Sequence, residues 1–177
     1  AGCGADNTSA LAFGGGPPNK GETESWNGTN WTEVSDLTQV RKQLSGFGIA
    51  TSAIAMGGET PAPANTAETE AWNGSAWYAV NSMNTAKRLL AGAGTSNTAG
   101  LAIGGEGTAI FAQTESWNGS QWTETNDLNT ARNVLAAGGT STLAVAFGGS
   151  PVTAATEEWN ANISVGAWVT SGNMNTG

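Results

Sequence analysis

Trp117-Asn118-Gly119-Ser120-Gln121-Trp122 is the stretch on which the fold turns. Asn-Gly tolerates positive φ at the centre of a tight turn, so it joins two antiparallel strands. The flanking tryptophans then face each other across the ladder. Trp26-Asn27-Gly28 leads to Trp31 and Trp72-Asn73-Gly74 leads to Trp77 with the same five-residue step, while Trp159 and Trp168 repeat the pair across a four-residue insertion. All eight tryptophans of the chain are used in this way.

Working back from each pair, a short apolar run ends in a double glycine. Leu11-Ala12-Phe13 precedes Gly14-Gly15, Ile54-Ala55-Met56 precedes Gly57-Gly58, Leu101-Ala102-Ile103 precedes Gly104-Gly105, and Val145-Ala146-Phe147 precedes Gly148-Gly149. Working forward, Leu37-Thr38, Met83-Asn84-Thr85, Leu128-Asn129-Thr130 and Met174-Asn175-Thr176 follow the pairs, and Arg41, Lys87 and Arg132 each stand ten residues after the second Trp. The repeats divide the chain at approximately 1–44, 45–90, 91–135 and 136–177, a mean period of about 44 residues, which suits propeller blades.

Each repeat reads as four short antiparallel strands. In the third, Leu90 to Thr95 is the first, Gly100 to Ile103 the second, Thr114 to Trp117 the third, and the fourth starts at Trp122. With 26 Gly and only 11% charged residues, helices have little support. One such unit buries little apolar surface, so the four must pack on one another in a single domain. The expectation is an all-β propeller of four blades with negligible helix. It is either a complete small ring, a segment of a larger one, or one protomer of a ring shared between chains. The insertion from Asn160 to Ala167 should only lengthen one hairpin.

The combination of Gly-Gly after an apolar strand, an aromatic and a Trp about a dozen residues on, and then Met-x-x-x-Arg resembles the kelch repeat, over the whole chain. Kelch repeats usually carry Tyr-Asp where this chain has Trp-Asn, another aromatic followed by a turn-former. The WD-repeat reading has neither Gly-His nor Trp-Asp to support it. In style, the Trp-Asn-Gly hairpins and Asn-Thr-Ala-Arg or Asn-Thr-Ala-Lys connectors are also similar to repeats of phage virion-surface and tail-fibre-type proteins and of secreted bacterial proteins. The resemblance implies a binding module.

Composition narrows the chemistry. The net charge of −8 with six scattered basic residues gives no cationic surface for phosphates, so nucleic acid is not an expected partner. No apolar run of 18 residues and no basic leader are visible, and neither membrane insertion nor a retained signal peptide is expected. The copper chemistry found on some kelch propellers needs His and Tyr ligands, whereas this chain has no His and one tyrosine, Tyr78. No calcium-loop pattern occurs, and no cofactor or metal is expected. Cys3 has no partner for a disulfide and reads as a small packed side chain at a position where the other repeats carry small residues.

Glu24, Glu70, Glu115 and Glu157 recur two residues before the first Trp of each pair. A catalytic residue is needed once, whereas a structural one is needed in every blade. These glutamates are therefore expected to pair with Arg41, Lys87 and Arg132 within or between blades, and a hydrolase or isomerase built on them is a remote alternative. The sequons at Asn7, Asn27, Asn30, Asn73, Asn118 and Asn162 lie mostly in turns that need Asn anyway.

Recognition is expected in the loops after the double glycines, which vary in length and carry Pro17, Pro61, Pro63 and Pro151. Asn19, Lys20, Asn65, Glu106, Ile110 and Phe111 complete the candidate set. The expected function is non-enzymatic recognition or adhesion, outside the cell or on a virion surface, with a protein or glycan as the partner. The alternative is a self-assembling structural component that forms homo-oligomers or larger assemblies.

Overall fold

The computed structural model describes residues 1–162 and 166–174, so Asn175 and Thr176 of the last connector lie outside the described residues. The chain forms four antiparallel sheets of four strands each, one per repeat. Blade 1 consists of β1 (Gly2–Asp6), β2 (Ser9–Gly15), β3 (Lys20–Trp26) and β4 (Trp31–Val34). Blade 2 consists of β5 (Ser45–Ile49), β6 (Ser52–Met56), β7 (Thr69–Trp72) and β8 (Trp77–Val80). Blade 3 holds β9 (Ala91–Ser96), β10 (Ala99–Ile103), β11 (Thr114–Trp117) and β12 (Trp122–Thr125). Blade 4 holds β13 (Ala136–Gly139), β14 (Leu143–Phe147), β15 (Thr156–Asn160) and β16 (Ala167–Ser171). The architecture is that of a four-bladed propeller, and no helix occurs among the described residues.

The Trp-Asn-Gly hairpin joins the third and fourth strands of each of the first three blades. Trp26, Trp72 and Trp117 stand directly opposite Trp31, Trp77 and Trp122, with ring centroids 5.5, 5.4 and 5.3 Å apart. In blade 4 Trp159 still faces Trp168, at 5.6 Å, and the pairing runs on to Asn160 and Ala167, so the insertion is accommodated within the hairpin. The Asn side chain closes each turn: Asn73 Oδ1, for example, accepts the backbone N–H groups of Ser75 and Ala76. The following glycine takes the positive φ that the turn demands, at 94° for Gly74.

Each blade has two unlike faces because strand side chains alternate. The leading face, toward the preceding blade, carries the Trp pair, the recurring Glu and small residues of the second strand. The trailing face, toward the following blade, carries the large apolar residues of the second strand and a Thr of the third. Three seams result. Leu11 and Phe13 of blade 1 pack on Ala53, Ala55, Trp72 and Trp77 of blade 2. Ile54 and Met56 meet Ala102, Trp117 and Trp122, and Leu101 and Ile103 meet Ala144, Ala146, Trp159 and Trp168. Each buried indole removes roughly 150–250 Å² from water, on the order of 4 kcal/mol.

Polar bonds set the orientation of each seam. The indole N–H groups of Trp77, Trp122 and Trp168 donate to Thr23, Thr69 and Thr114 of the preceding blade at 3.0, 3.1 and 3.0 Å. The recurring cations also reach across seams. Arg41 pairs with Glu70 at 2.8 Å, Lys87 with Glu115 at 3.4 Å, and Arg132 with Glu157. The pairing is thus between blades, one repeat out of step, and Glu24 receives none of these cations. All six paired groups are buried.

The tight turn after each second strand is made possible by the first glycine. Gly57 has φ of 63°, and a Cβ there would stand 2.4 Å from the Lys87 carbonyl oxygen. One sequence expectation is corrected. Cys3 lies opposite Leu11 just as Phe47 lies opposite Ile54 and Ala93 opposite Leu101, so this position is not reserved for small residues. Phe47 fits because its ring reaches across the seam to Trp122, at 6.4 Å in edge-on contact.

Candidate functional site

The loops after the double glycines and the connectors between blades emerge on one side of the molecule. Their roots are braced by a second set of charges. Lys42 pairs with Glu59 at 2.8 Å, Arg88 pairs with Glu59 and with Glu106, and Asn133 Nδ2 donates to Glu106. The result is a ladder, Lys42 to Glu59 to Arg88 to Glu106 to Asn133, running across blades 2, 3 and 4. The hydrogen bond from Lys42, with Arg88 adding to it, holds the Glu59 carboxyl below the usual carboxylate range, while Glu106 raises the Arg88 guanidinium.

Inside the ladder the connectors are laced together by their backbones. Leu89 N–H donates to Gln43 O and Val134 N–H donates to Leu89 O, each at 2.9 Å. Gln43, Leu89 and Val134 all adopt positive φ, at 56°, 54° and 52°. Such a backbone costs about 1–2 kcal/mol in residues with a Cβ, and most in a β-branched one such as Val134. The strain recurs in three connectors and is held by the bonds on either side.

A central channel of about 600 Å³ is lined by β1, β5, β9 and β13. Its wall is mainly Gly and Ala, with Phe47, Ile49, Leu90 and Leu135 as the large members and Cys3 among the small ones. The Cys3 thiol is pushed up to about 12 by burial, so the thiolate needed for nucleophilic chemistry is scarce near neutrality. Among the described residues no three His, Cys, Asp or Glu side chains gather as metal ligands.

The ten candidate loop residues divide into tips and roots. Pro17, Lys20, Pro61, Pro63, Ile110 and Pro151 are exposed, and Val152 beside Pro151 is 100% exposed. Asn19, Asn65, Glu106 and Phe111 are half-buried. Asn19 Nδ2 donates to Glu59 O at 2.5 Å, tying the first loop to the second. Asn65 bridges to Glu59 by its backbone, and Phe111 N–H donates to Gly105 O at 2.8 Å. The outer surface is therefore a set of short apolar tips standing on a charged, cross-linked base.

The tryptophans are largely internal. Trp72, Trp77, Trp117, Trp122, Trp159 and Trp168 are buried, and Trp31 is 48% exposed. Trp26, Trp72, Trp117 and Trp159 each donate an indole N–H to the turn between the first two strands of their own blade, at Asn7, Ala50, Asn97 and Ser141. Glu70, Glu115 and Glu157 are occupied in the seams, where they also accept the N–H of Thr38, Asn84 and Asn129 at 2.7, 2.7 and 2.6 Å.

The ladder was not anticipated from sequence, although a signal for it exists. Lys42 and Arg88 each follow a recurring cation, and Glu59 and Glu106 each follow a double glycine. Searches of protein-family models and of curated proteins find no match to this chain.

Proposed function

We propose that this protein is a non-enzymatic, kelch-like recognition module that holds a protein partner with its loop tips, outside the cell or on a virion surface. The observation that carries the reading is the contrast between exposed apolar tips at Pro61, Pro63, Ile110, Pro151 and Val152 and the braced base beneath them. Short proline-bearing loops on a rigid scaffold lose little entropy on binding, and apolar tips gain by leaving water. A protein partner is favoured over a glycan because the aromatic surfaces that stack on sugars are, Trp31 and Tyr78 apart, largely committed to the interior.

The test is a cell-adhesion assay run beside a glycan array. Wild type is compared with a variant whose tips at 60–64, 107–110 and 151–153 are replaced by Gly and Ser while Glu59 and Glu106 are kept. Adhesion should fall to background in the variant with its thermal stability intact. Adhesion that survives the replacement, or glycan binding that depends on Trp31, overturns this placement of the site.

A further inference from the structure

Three seams within the molecule follow one rule, and a fourth set of the same parts stands unassembled. On the leading face of blade 1, Trp31 is 48% exposed where Trp77, Trp122 and Trp168 are at most 6% exposed. Ala10, Ala12 and Trp26 are half-buried, and Glu24 is exposed. On the trailing face of blade 4, Val145, Phe147 and Thr156 are half-buried, although their counterparts Leu11, Phe13 and Thr23 are buried. Met174, in the place of Leu37, Met83 and Leu128, is 40% exposed. Among the described residues, no buried cluster joins blade 4 to blade 1.

We infer that the leading face of blade 1 docks on the trailing face of blade 4 of a second copy of this chain, head to tail. The contact continues an interface that the protein already makes three times. Val145 and Phe147 supply the knobs that Leu11 and Phe13 supply to blade 2, Ala10 and Ala12 supply the shallow floor, and Met174 covers the outer end. Thr156 offers its hydroxyl to the Trp31 indole N–H as Thr23 does to Trp77. A face of one kind meets a face of the other, so the contact is heterologous.

This fourth seam differs from the others in charge. The leading face brings Glu22, Glu24 and Glu33, with Lys20 held by Glu22 at 3.4 Å, and no described cation stands on the trailing face, which instead carries Glu158. Glu158 occupies the register of Ser25, Ala71 and Ser116. Carboxylates therefore stand on both faces of the contact.

Sedimentation equilibrium on the intact chain tests the assignment. Wild type should be a concentration-dependent oligomer. Trp31→Arg and Thr156→Arg, each checked for wild-type circular dichroism, should be monomeric alone and should form a one-to-one dimer when mixed, because the mixture retains one intact face of each kind. A wild type that stays monomeric at all salt concentrations overturns the inference. So does a mixture that remains monomeric, or an association abolished by only one of the two variants.

Discussion

Lys87→Arg should stabilise the protein. Arg41 donates from Nη1 to the Gly57 and Glu68 carbonyls at 3.0 and 2.8 Å and from Nη2 to Glu70. Arg132 repeats the arrangement with Gly148 and Ala155 at 3.2 and 2.9 Å. Lys87 occupies the same buried socket, but its ammonium is 3.4 Å from Glu115 and has no hydrogen-bond partner of good geometry. Arginine would add two bonds to the corresponding carbonyls of Gly104 and Gln113. Two charge-assisted bonds at about 1–1.5 kcal/mol net each, less about 1 kcal/mol for fitting the larger head and burying an Nε–H that finds no acceptor in Arg41 or Arg132 either, leave about 1–2 kcal/mol. For a domain of this size that is about 3–6 °C in Tm. The reciprocal Arg132→Lys should lower Tm by a similar amount.

The same site sets a pH signature. Burial lowers the Lys87 pKa, with Glu115 pulling against it, so the folded state gives up the proton more readily than the unfolded state does. Between that lowered value and the ordinary 10.5 the unfolded chain binds more protons, and stability contributed by this group rises with pH. Urea melts across that window should show the rise in wild type and lose it in Lys87→Arg. An unchanged or lowered Tm in Lys87→Arg, together with an unchanged pH profile, would refute the account of the socket.

Thr69→Val leaves the buried Trp122 N–H without an acceptor and should cost about 1–3 kcal/mol in a denaturant melt, whereas Thr156→Val, with no indole bound, should change the dilute protein by less than about 0.5 kcal/mol. Val134→Gly relieves a β-branched residue from φ of 52° and should raise Tm, despite the entropy cost of glycine, by about 1–3 °C. Cys3, with its thiol pushed up to about 12, should react with a thiol reagent near pH 8 at well under a tenth of the rate of the denatured chain; equal rates would contradict its burial.

The blades were legible because their signals are local. Trp-Asn-Gly specifies a hairpin and its cross-strand pair, and an apolar run stopped by Gly-Gly specifies a strand end, each within a few residues. The spacing of Arg41, Lys87 and Arg132 announced a repeated partner, but which glutamate each would meet depended on how one blade sits against the next. Glu106 illustrates the limit at the candidate site. As a charged residue in a variable loop it reads as free for a ligand, and only the packed connectors bring Arg88 and Asn133 to it. The positive φ of Gln43, Leu89 and Val134 left no trace in residue type, because backbone bonds between connectors impose it from outside.

The indole-to-threonine bonds bear on how the molecule comes apart. Each leaves one blade and lands on its neighbour, as do the buried cation–glutamate pairs, so rigidity is shared between neighbours and stored in none of them singly. Blades 2 and 3 are clasped from both sides, while blades 1 and 4 are clasped from one. Opening should then proceed like the unzipping of a short one-dimensional lattice, from the outer members inward. Amide exchange would report it as a gradient, slowest along β6 and β10 and fastest along β2 and β14, with the hairpin pairing inside each blade outlasting its attachment to the next.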